Sequence, residues 1–300
     1  MTSKKKALWI LAINPTAGNG NGAIVGQRVI TYLEAAKVEF HIHFGRSSQD
    51  LKERISSEIS GHDDSVGEIA GVIGVGGDGL MHLILQLCVP AHIPFAIVPA
   101  GTGNDFVRSL GWSLDAIEPY LNRVLTSAPS KIDLGNVDSE WFGAILSTGF
   151  DSVVNERANR LRWPKGAMRY NVAMVLELAK FEPREYRITC DSEKFTTKAM
   201  LVAIGNGKSY GGGMNICPQS QLDDGLFDVI ILEPVSTIEF LKVFPKVYSG
   251  SHISHPKVRS LRAAKVSIES DAIAYADGER IGPAPISAEC IKGAGLTWML

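Results

Sequence analysis

The sequence predicts a two-part protein, an N-terminal doubly wound α/β domain followed by a β-rich domain. Up to about residue 130, short apolar runs alternate with helical patterns, and several of these runs end in glycine-rich turns. From Lys131 onward, strand candidates are separated by turn signals such as Asn206-Gly207 and Asp224-Gly225. We predict domains at 1–134 and 135–300, with the extreme C-terminus a candidate to pack back on the first domain.

The first domain is predicted to alternate strands and helices. The strands are short apolar or alternating runs at 8–13, 38–44, 69–75 and 94–98. The helices cover 23–36, 50–60, 80–88 and 106–110, and Asp50 is a candidate N-cap of the second.

The second domain is predicted to be mainly strands, at 131–137, 141–147, 185–190, 196–204, 227–232, 265–269 and 272–276. Helical patterns interrupt them at 151–161, 167–180 and 236–248.

Composition narrows the class of protein. The 300 residues are 45% hydrophobic and 21% charged, as in an ordinary globular protein, and the net charge of −2 does not support nucleic-acid binding. The four cysteines are scattered, which indicates reduced thiols in a cytoplasmic protein. The apolar run after Lys4-Lys5-Lys6 is at the short limit for a signal peptide and lacks a cleavage site, so we interpret it as the first strand.

Three glycine-rich turns are predicted at the carboxyl edge of the parallel sheet, where open α/β sheets bind ligands. They are residues 14–22, 74–79 and 99–105. Glycines let backbone N–H groups approach an anion, and a following helix N-terminus favours negative charge. Asp78 and Asp105 would repel a bare phosphate, so these turns indicate a site for Mg²⁺ and a nucleotide.

Two better-known motifs do not fit. Residues 74–79 match G-x-G-x-x-G, but Asp78 would face the pyrophosphate and the run is not on the first strand. Residues 205–209 are similar to the end of a P-loop, but Val202 stands where its first glycine is required.

The motifs, taken in order, resemble those of the diacylglycerol kinase catalytic-domain family, which includes bacterial lipid kinases and sphingosine kinases. The resemblance covers essentially the whole chain, in the segments 14–18, 76–79, 99–105, 131–135, 211–214, 221–226 and 277–279. It implies a nucleotide-binding α/β domain, a β-sandwich-like second domain and an active site in the cleft between them.

The resemblance also implies roles for individual residues. ATP would be held by Asn14, Thr16, Gly18, Gly76, Gly77, Thr102, Gly103 and Asn104. Asp78, Asp105 and Asp133 would form an acidic network around catalytic Mg²⁺, although Asp105 could instead cap a helix and Asp133 could simply end a strand. Glu279, after a predicted hairpin turn, would be the general base that takes the proton from the lipid hydroxyl.

A second metal site is implied at Gln221, Asp224 and Leu226, with the carboxylate of Asp224 and two backbone carbonyls as ligands. Oxygen ligation of this kind suits Mg²⁺ or Ca²⁺. The alternative is a plain Asp-Asp-Gly turn.

The acceptor expected from the resemblance is diacylglycerol, with phosphatidic acid as product. Leu80-Met81-His82 is closer to sphingosine and ceramide kinases, however, and Leu83 stands where the family has Glu. The alternatives are therefore a sphingosine- or ceramide-type kinase, an NAD kinase or a weakly active lipid-binding regulator. The basic segment 157–169 is either a solvated face or a contact with anionic lipid at the inner membrane face. A homodimer is a candidate assembly.

Overall fold

The structure is a computed structural model that describes residues 7–62, 68–161, 172–173, 176–177 and 180–300. Its contacts divide the chain into two compact units. Residues 1–132 and 293–300 form the first unit, and residues 133–292 form the second. The chain passes from one unit to the other within two strands, Ser130–Val137 and Ile286–Thr297.

The first unit contains a parallel sheet in the order β2-β1-β3-β4. These strands are β1 (Ala7–Ile13), β2 (Glu39–Phe44), β3 (Glu68–Gly76) and β4 (Phe95–Pro99). The helices are α1 (Ala17–Ala35), α2 (Ser48–Gly61), α3 (Asp78–Cys88), α4 (Asp105–Ser109) and α5 (Ile117–Thr126). The predicted α/β class is confirmed.

Burial follows position in the sheet. β4 is buried along its whole length, as is most of β1 and β3, because helices cover both faces of a parallel sheet. β2, at one edge of this sheet, is largely exposed, although its alternating sequence predicts half-burial. The N-cap of α2 is Ser47, whose side chain accepts the Asp50 N–H at 3.2 Å, so the prediction that Asp50 caps this helix is wrong.

The last residues of the chain pack into the first unit. The Trp298 ring lies 5.9 Å from that of Trp9, and its indole N–H donates to the Ser127 carbonyl at 2.9 Å. The Thr297 hydroxyl donates to the Phe95 carbonyl at 2.6 Å, and the Leu300 amide donates to the Leu110 carbonyl at 3.1 Å. The C-terminus therefore closes one side of this core.

The second unit contains two six-stranded sheets, and the strand pairings that the structure describes in them are antiparallel. The first, in the order β12-β11-β10-β7-β14-β15, comprises β7 (Ile145–Gly149), β10 (Leu201–Gly205), β11 (Phe227–Leu232), β12 (Val258–Ala263), β14 (Ile273–Ala276) and β15 (Glu279–Pro283). The second, in the order β6-β5-β16-β13-β8-β9, comprises β5 (Ser130–Val137), β6 (Glu140–Phe142), β8 (Arg184–Cys190), β9 (Glu193–Ala199), β13 (Lys265–Glu269) and β16 (Ile286–Thr297).

The two sheets form a β-sandwich because alternate residues of one sheet pack on the other. Val229 and Ile231 of β11 share a buried cluster with Val266 and Ile268 of β13. The intervening Ile230 joins a second cluster on the outer face of the first sheet. Helices α6 (Phe150–Arg160) and α7 (Thr237–Val243) contribute to that outer cluster.

Two predicted elements are interrupted in the structure. The strand predicted at 196–204 is divided at Met200 into β9 and β10, which belong to different sheets. The helix predicted at 236–248 ends at Val243 and continues as a 3₁₀ turn, Phe244–Val247, because Pro245 lacks the N–H of an α-helix interior. Most of the helix predicted at 167–180 lies outside the described residues.

Candidate active site

The structure brings the three glycine-rich loops of the first unit together at the carboxyl edge of its sheet. A Cβ built on Gly77 would lie 3.1 Å from Cα of Gly101, so the loops after β3 and β4 are in backbone contact. A Cβ on Gly18 would collide with the Ala100 carbonyl oxygen, which places the loop after β1 against the same segment. Glycine is therefore needed where these backbones approach each other.

The loop after β1 has an unusual backbone. Gly18, Asn19 and Gly20 have φ values of 56°, 59° and 97°, so the first turn of α1 is left-handed before the regular helix begins. The Asn14 side chain holds the start of the loop, because its Oδ1 accepts the Thr16 N–H at 3.2 Å and the Thr16 hydroxyl at 2.9 Å. Thr16 itself is exposed.

Asp78 ties the second loop to the third. Its two carboxylate oxygens accept the backbone N–H groups of Asn104 and Asp105, both at 2.8 Å. Asn104 is left-handed, with φ of 55°, and its side-chain amide closes the turn onto Gly101 through bonds of 3.0 and 2.9 Å. Asp78 therefore fixes the backbone of the loop that begins α4, in addition to any role toward a metal.

The carboxylates of Asp78 and Asp105 converge over Gly103. A Cβ on this glycine would collide with Oδ2 of Asp78 and would lie 3.1 Å from Oδ2 of Asp105. Asp105 is buried, with 3% of its surface exposed. Two carboxylates beside a position kept clear by glycine are a donor set that fits Mg²⁺, which prefers oxygen ligands. Thr102, on the same loop, is exposed.

Glu279 lies in the second unit, at the exposed start of β15. It follows a tight hairpin turn in which Asp277 and Gly278 both have positive φ, 52° and 88°, as a type I′ turn requires. The Asp277 carboxylate accepts the N–H groups of Gly143 and Ala144, each at 2.8 Å, and the Asp277 N–H donates to the Ile145 carbonyl at 3.0 Å. The turn that presents Glu279 is thus anchored to the loop before β7.

Asn206, whose side chain is fully buried, continues this hydrogen-bonded chain. Its side-chain NH₂ donates to the carbonyls of Gly143 and Asp133, at 2.8 and 3.0 Å, and its backbone N–H donates to Ala144 at 2.9 Å. The sequence patterns that contain Asn206 and Asp277 assign no role to either residue. Asn206 lies in the Asn-Gly turn signal and in the rejected P-loop match at 205–209, and Asp277 lies in the Asp-Gly turn before Glu279.

Asp133 is buried, and its described carboxylate contact lies in the second unit. Oδ2 accepts the Gly225 N–H at 2.6 Å, and the Asp133 N–H donates to the Leu222 carbonyl at 2.6 Å. Asp133 thus holds the segment 221–226. Its predicted place beside Asp78 and Asp105 around Mg²⁺ stays a prediction.

The implied second metal site coincides with this same segment. Asp224 accepts the Leu226 N–H at 2.9 Å through Oδ1, and its Oδ2 pairs with the Arg262 guanidinium. Gln221 is exposed, and Leu226 is partly buried. Among the described residues, no group of three or more His, Cys, Asp or Glu side chains is arranged to hold a metal ion.

The residues that depart from the family pattern are part of the core. Leu80, Met81, His82 and Leu83 are all buried in α3. An apolar side chain at position 83 therefore suits its surroundings.

All four cysteines are buried and unbridged, and burial raises the pKa of the Cys290 thiol to about 12, which keeps this group protonated.

The predicted membrane segment is only partly described. Arg157 pairs with Glu177 at 3.2 Å and Arg160 with Glu156 at 4.0 Å, whereas Arg162, Lys165 and Arg169 lie outside the described residues. In the described ranges, no helix has the length and apolar character needed to cross a bilayer. The basic surface and the candidate homodimer stay predictions.

Comparisons with known proteins agree with this architecture. Residues 8–137 match the family described as the diacylglycerol kinase catalytic domain, and residues 144–296 match the YegS C-terminal NAD kinase beta sandwich-like domain. A diacylglycerol kinase of Mycobacterium tuberculosis is 34% identical, covering 94% of this chain and 91% of its own. One from Bacillus subtilis is 26% identical, covering 91% of this chain and 89% of its own.

The fold is shared with a solved diacylglycerol kinase from Bacillus anthracis, at a TM-score of 0.72 and 20% identity, over 100% of this chain and 98% of that one. The family model and the 34% identical relative show a kinase of the lipid kinase class, which implies the use of ATP. The chain belongs to the diacylglycerol kinase family.

Proposed function

We propose that the protein transfers the γ-phosphate of ATP to the free hydroxyl of diacylglycerol, giving phosphatidic acid. The observation that carries this proposal is the Asp78-centred junction of three glycine-rich loops, in a chain 34% identical to a diacylglycerol kinase over 94% of its length. The junction brings three glycine-rich turns and the starts of the helices that follow them to one place, an arrangement that suits phosphates. The choice of diacylglycerol as acceptor comes from the name of the related enzymes, which are diacylglycerol kinases.

In this proposal Asn14, Thr16 and Gly18 contact the nucleotide from the first loop. Gly76 and Gly77 do so from the second, and Thr102, Gly103 and Asn104 from the third. The carboxylates of Asp78 and Asp105 hold Mg²⁺, which neutralises charge on the phosphates when it is bound. Glu279 accepts the proton from the lipid hydroxyl. Phosphoryl transfer depends mainly on positioning and on charge neutralisation. The protein therefore contributes by fixing the nucleotide phosphates and the lipid hydroxyl in the reactive geometry.

The second unit supports a lipid acceptor through an apolar recess of about 40 Å³ between the outer face of the first sheet and α7. Its walls include Phe150, Leu201, Ile230, Phe240 and Val247. We propose that an acyl chain enters here. The recess is small beside the roughly 300–1,000 Å³ of ordinary ligand pockets, so α7 must move outward to admit a chain.

The outer face of the same helix supports membrane contact. Ile238 is 69% exposed and Leu241 50%, and Tyr248, just beyond, is 54% exposed. Lys242 and Lys246 are exposed beside them. Apolar side chains bordered by lysines are typical of a segment that lies in the interface of an anionic bilayer. We propose that α7 rests on the membrane and admits lipid to the recess beneath it.

The acceptor is tested by supplying labelled ATP and Mg²⁺ with diacylglycerol, sphingosine, ceramide, a polyprenol or NAD, each in separate reactions. We expect the highest initial rate with diacylglycerol. A preference for sphingosine would overturn the choice of acceptor; the buried Leu80-Met81-His82 stretch, which resembles that of sphingosine and ceramide kinases, makes this the main alternative. A preference for NAD would overturn the lipid class.

The membrane contact is tested with vesicles that contain anionic lipid. Ile238→Ser combined with Leu241→Ser should reduce sedimentation with these vesicles and the rate on vesicle-borne lipid. Ile24→Ser is the matched control, because Ile24 is an equally exposed apolar residue, at 66%, on α1. Equal effects of the α7 double substitution and the Ile24→Ser control would refute the proposal that α7 contacts the membrane.

A further inference from the structure

Arg262 lies against the loop where the second metal ion of related enzymes is expected. It belongs to β12, directly opposite Asp228 of β11 in the antiparallel register. Its guanidinium pairs with Oδ2 of Asp224, and its Nε lies 3.5 Å from Oδ1 of Asp228. The strand pairing thus directs one positive charge at two carboxylates.

Both oxygens of Asp224 have partners. Oδ1 accepts the Leu226 N–H at 2.9 Å, and Oδ2 is paired with Arg262. A divalent cation at this carboxylate would have to share its oxygens with the Leu226 amide and the Arg262 guanidinium. The guanidinium and the ion would also repel each other at such close range.

Asp228 needs a nearby positive charge for a separate reason. It is buried, with 3% of its surface exposed, and its Oδ1 has no hydrogen-bond partner among the described atoms. A buried carboxylate is costly unless it is paired. The Nε of Arg262 faces this oxygen, so the same guanidinium serves Asp224 at the loop and Asp228 in the sheet.

We infer that Arg262 takes the place of the second metal ion, so that the segment 221–226 is organised by a guanidinium rather than by Mg²⁺ or Ca²⁺. Asp133 completes the arrangement from the other side through its bond to the Gly225 N–H. The prediction of a metal at Gln221, Asp224 and Leu226 is thereby replaced by an internal cation.

The test measures thermal unfolding without nucleotide or lipid, in EDTA and in millimolar Mg²⁺ or Ca²⁺. Wild type and Asp224→Asn should respond equally to the added cations, because Asp224 binds none in the wild type. Arg262→Ala should unfold at a lower temperature in EDTA and regain about 2–4 °C with the cations, which then enter the vacated place. Adding Asp224→Asn to Arg262→Ala should abolish this gain.

Arg259→Ala is the matched control. Arg259 is also on β12 and pairs with Glu193 at 2.9 Å, away from Asp224, so its removal should leave the cation response as in wild type. A stabilisation of the wild type that Asp224→Asn removes would overturn the inference, as would an Arg262→Ala protein without any cation gain. If Arg262→Ala does not fold, Ca²⁺ binding is measured by equilibrium dialysis of the wild type and Asp224→Asn. We expect the two proteins to bind the same number of ions. One additional Ca²⁺ ion bound by the wild type would refute the inference. Failure here leaves the kinase proposal untouched, since no turnover is measured.

Discussion

Asp277→Asn tests whether the hairpin turn positions Glu279. The carboxylate of Asp277 accepts two backbone N–H groups at 2.8 Å, from Gly143 and Ala144. An asparagine keeps one accepting oxygen and turns an NH₂ group toward the other N–H, so one charge-assisted bond is lost. Such a bond contributes about 1.5–3 kcal/mol, which corresponds to roughly 3–10 °C in the unfolding temperature. A shift of the turn by about 1 Å would lower kcat about a hundredfold, with KM for ATP unchanged.

Asp191→Asn supplies the matched control in the same unit. Asp191 also has positive φ, 50°, in a hairpin turn, and its carboxylate accepts the N–H groups of Lys265 and Ala264 at 2.9 and 3.1 Å. Both variants are measured by thermal unfolding and by initial rates of lipid phosphorylation. The control should lose stability and keep its turnover. Equal losses of kcat in the two variants, or normal kcat in Asp277→Asn, would refute the positioning role.

Three further predictions follow from the contacts of single residues. Asp78→Asn should lower turnover at least about a hundredfold and loosen the Gly101–Asp105 loop, since it removes negative charge and one of two N–H acceptors; near-normal rates would exclude Asp78 from the site. Glu279→Gln should lose transfer to lipid while ATP binding, measured by calorimetry, persists; retained transfer would place the proton acceptor elsewhere. Burial lowers the pKa of His252, so the folded state resists its protonation and stability should fall as pH drops below about 6.5. His252→Gln should flatten that decline, and unchanged pH profiles of unfolding in the two proteins would contradict it.

The fold was predictable because its signals are local. Apolar runs followed by glycine-rich turns mark β1, β3 and β4, and Asp-Gly turns mark the start of β11 and the hairpin between β14 and β15. Where long-range packing decides, prediction failed. The break at Met200 sends β9 and β10 into different sheets, and the strand pattern over 196–204, which contains no turn residue, does not reveal that division.

The sequence indicates which residue types form the candidate site but not which of them contact each other. Asp78 is predicted as a metal ligand from its motif. Its hydrogen bonds to the backbone of Asn104 and Asp105, which lie 26 and 27 residues further along the chain, cannot be derived from motif spacing. The Asp277 carboxylate accepts the Gly143 N–H across 134 residues of sequence, so this contact cannot be derived from the sequence, whereas Glu279 is part of a motif. Arg262 carries no motif, and the register of β11 with β12 is what brings it to Asp224 and Asp228.

The most direct test of the proposed function is a competition between acceptors on one surface. Diacylglycerol, sphingosine and ceramide are presented together at matched density in vesicles with anionic lipid, and the products formed from labelled ATP are identified by mass spectrometry. We predict that phosphatidic acid dominates the early product and that Asp78→Asn suppresses it at least about a hundredfold. Label appearing first in a phosphorylated sphingoid base, or phosphatidic acid formed at equal rates by wild type and Asp78→Asn, would contradict the account.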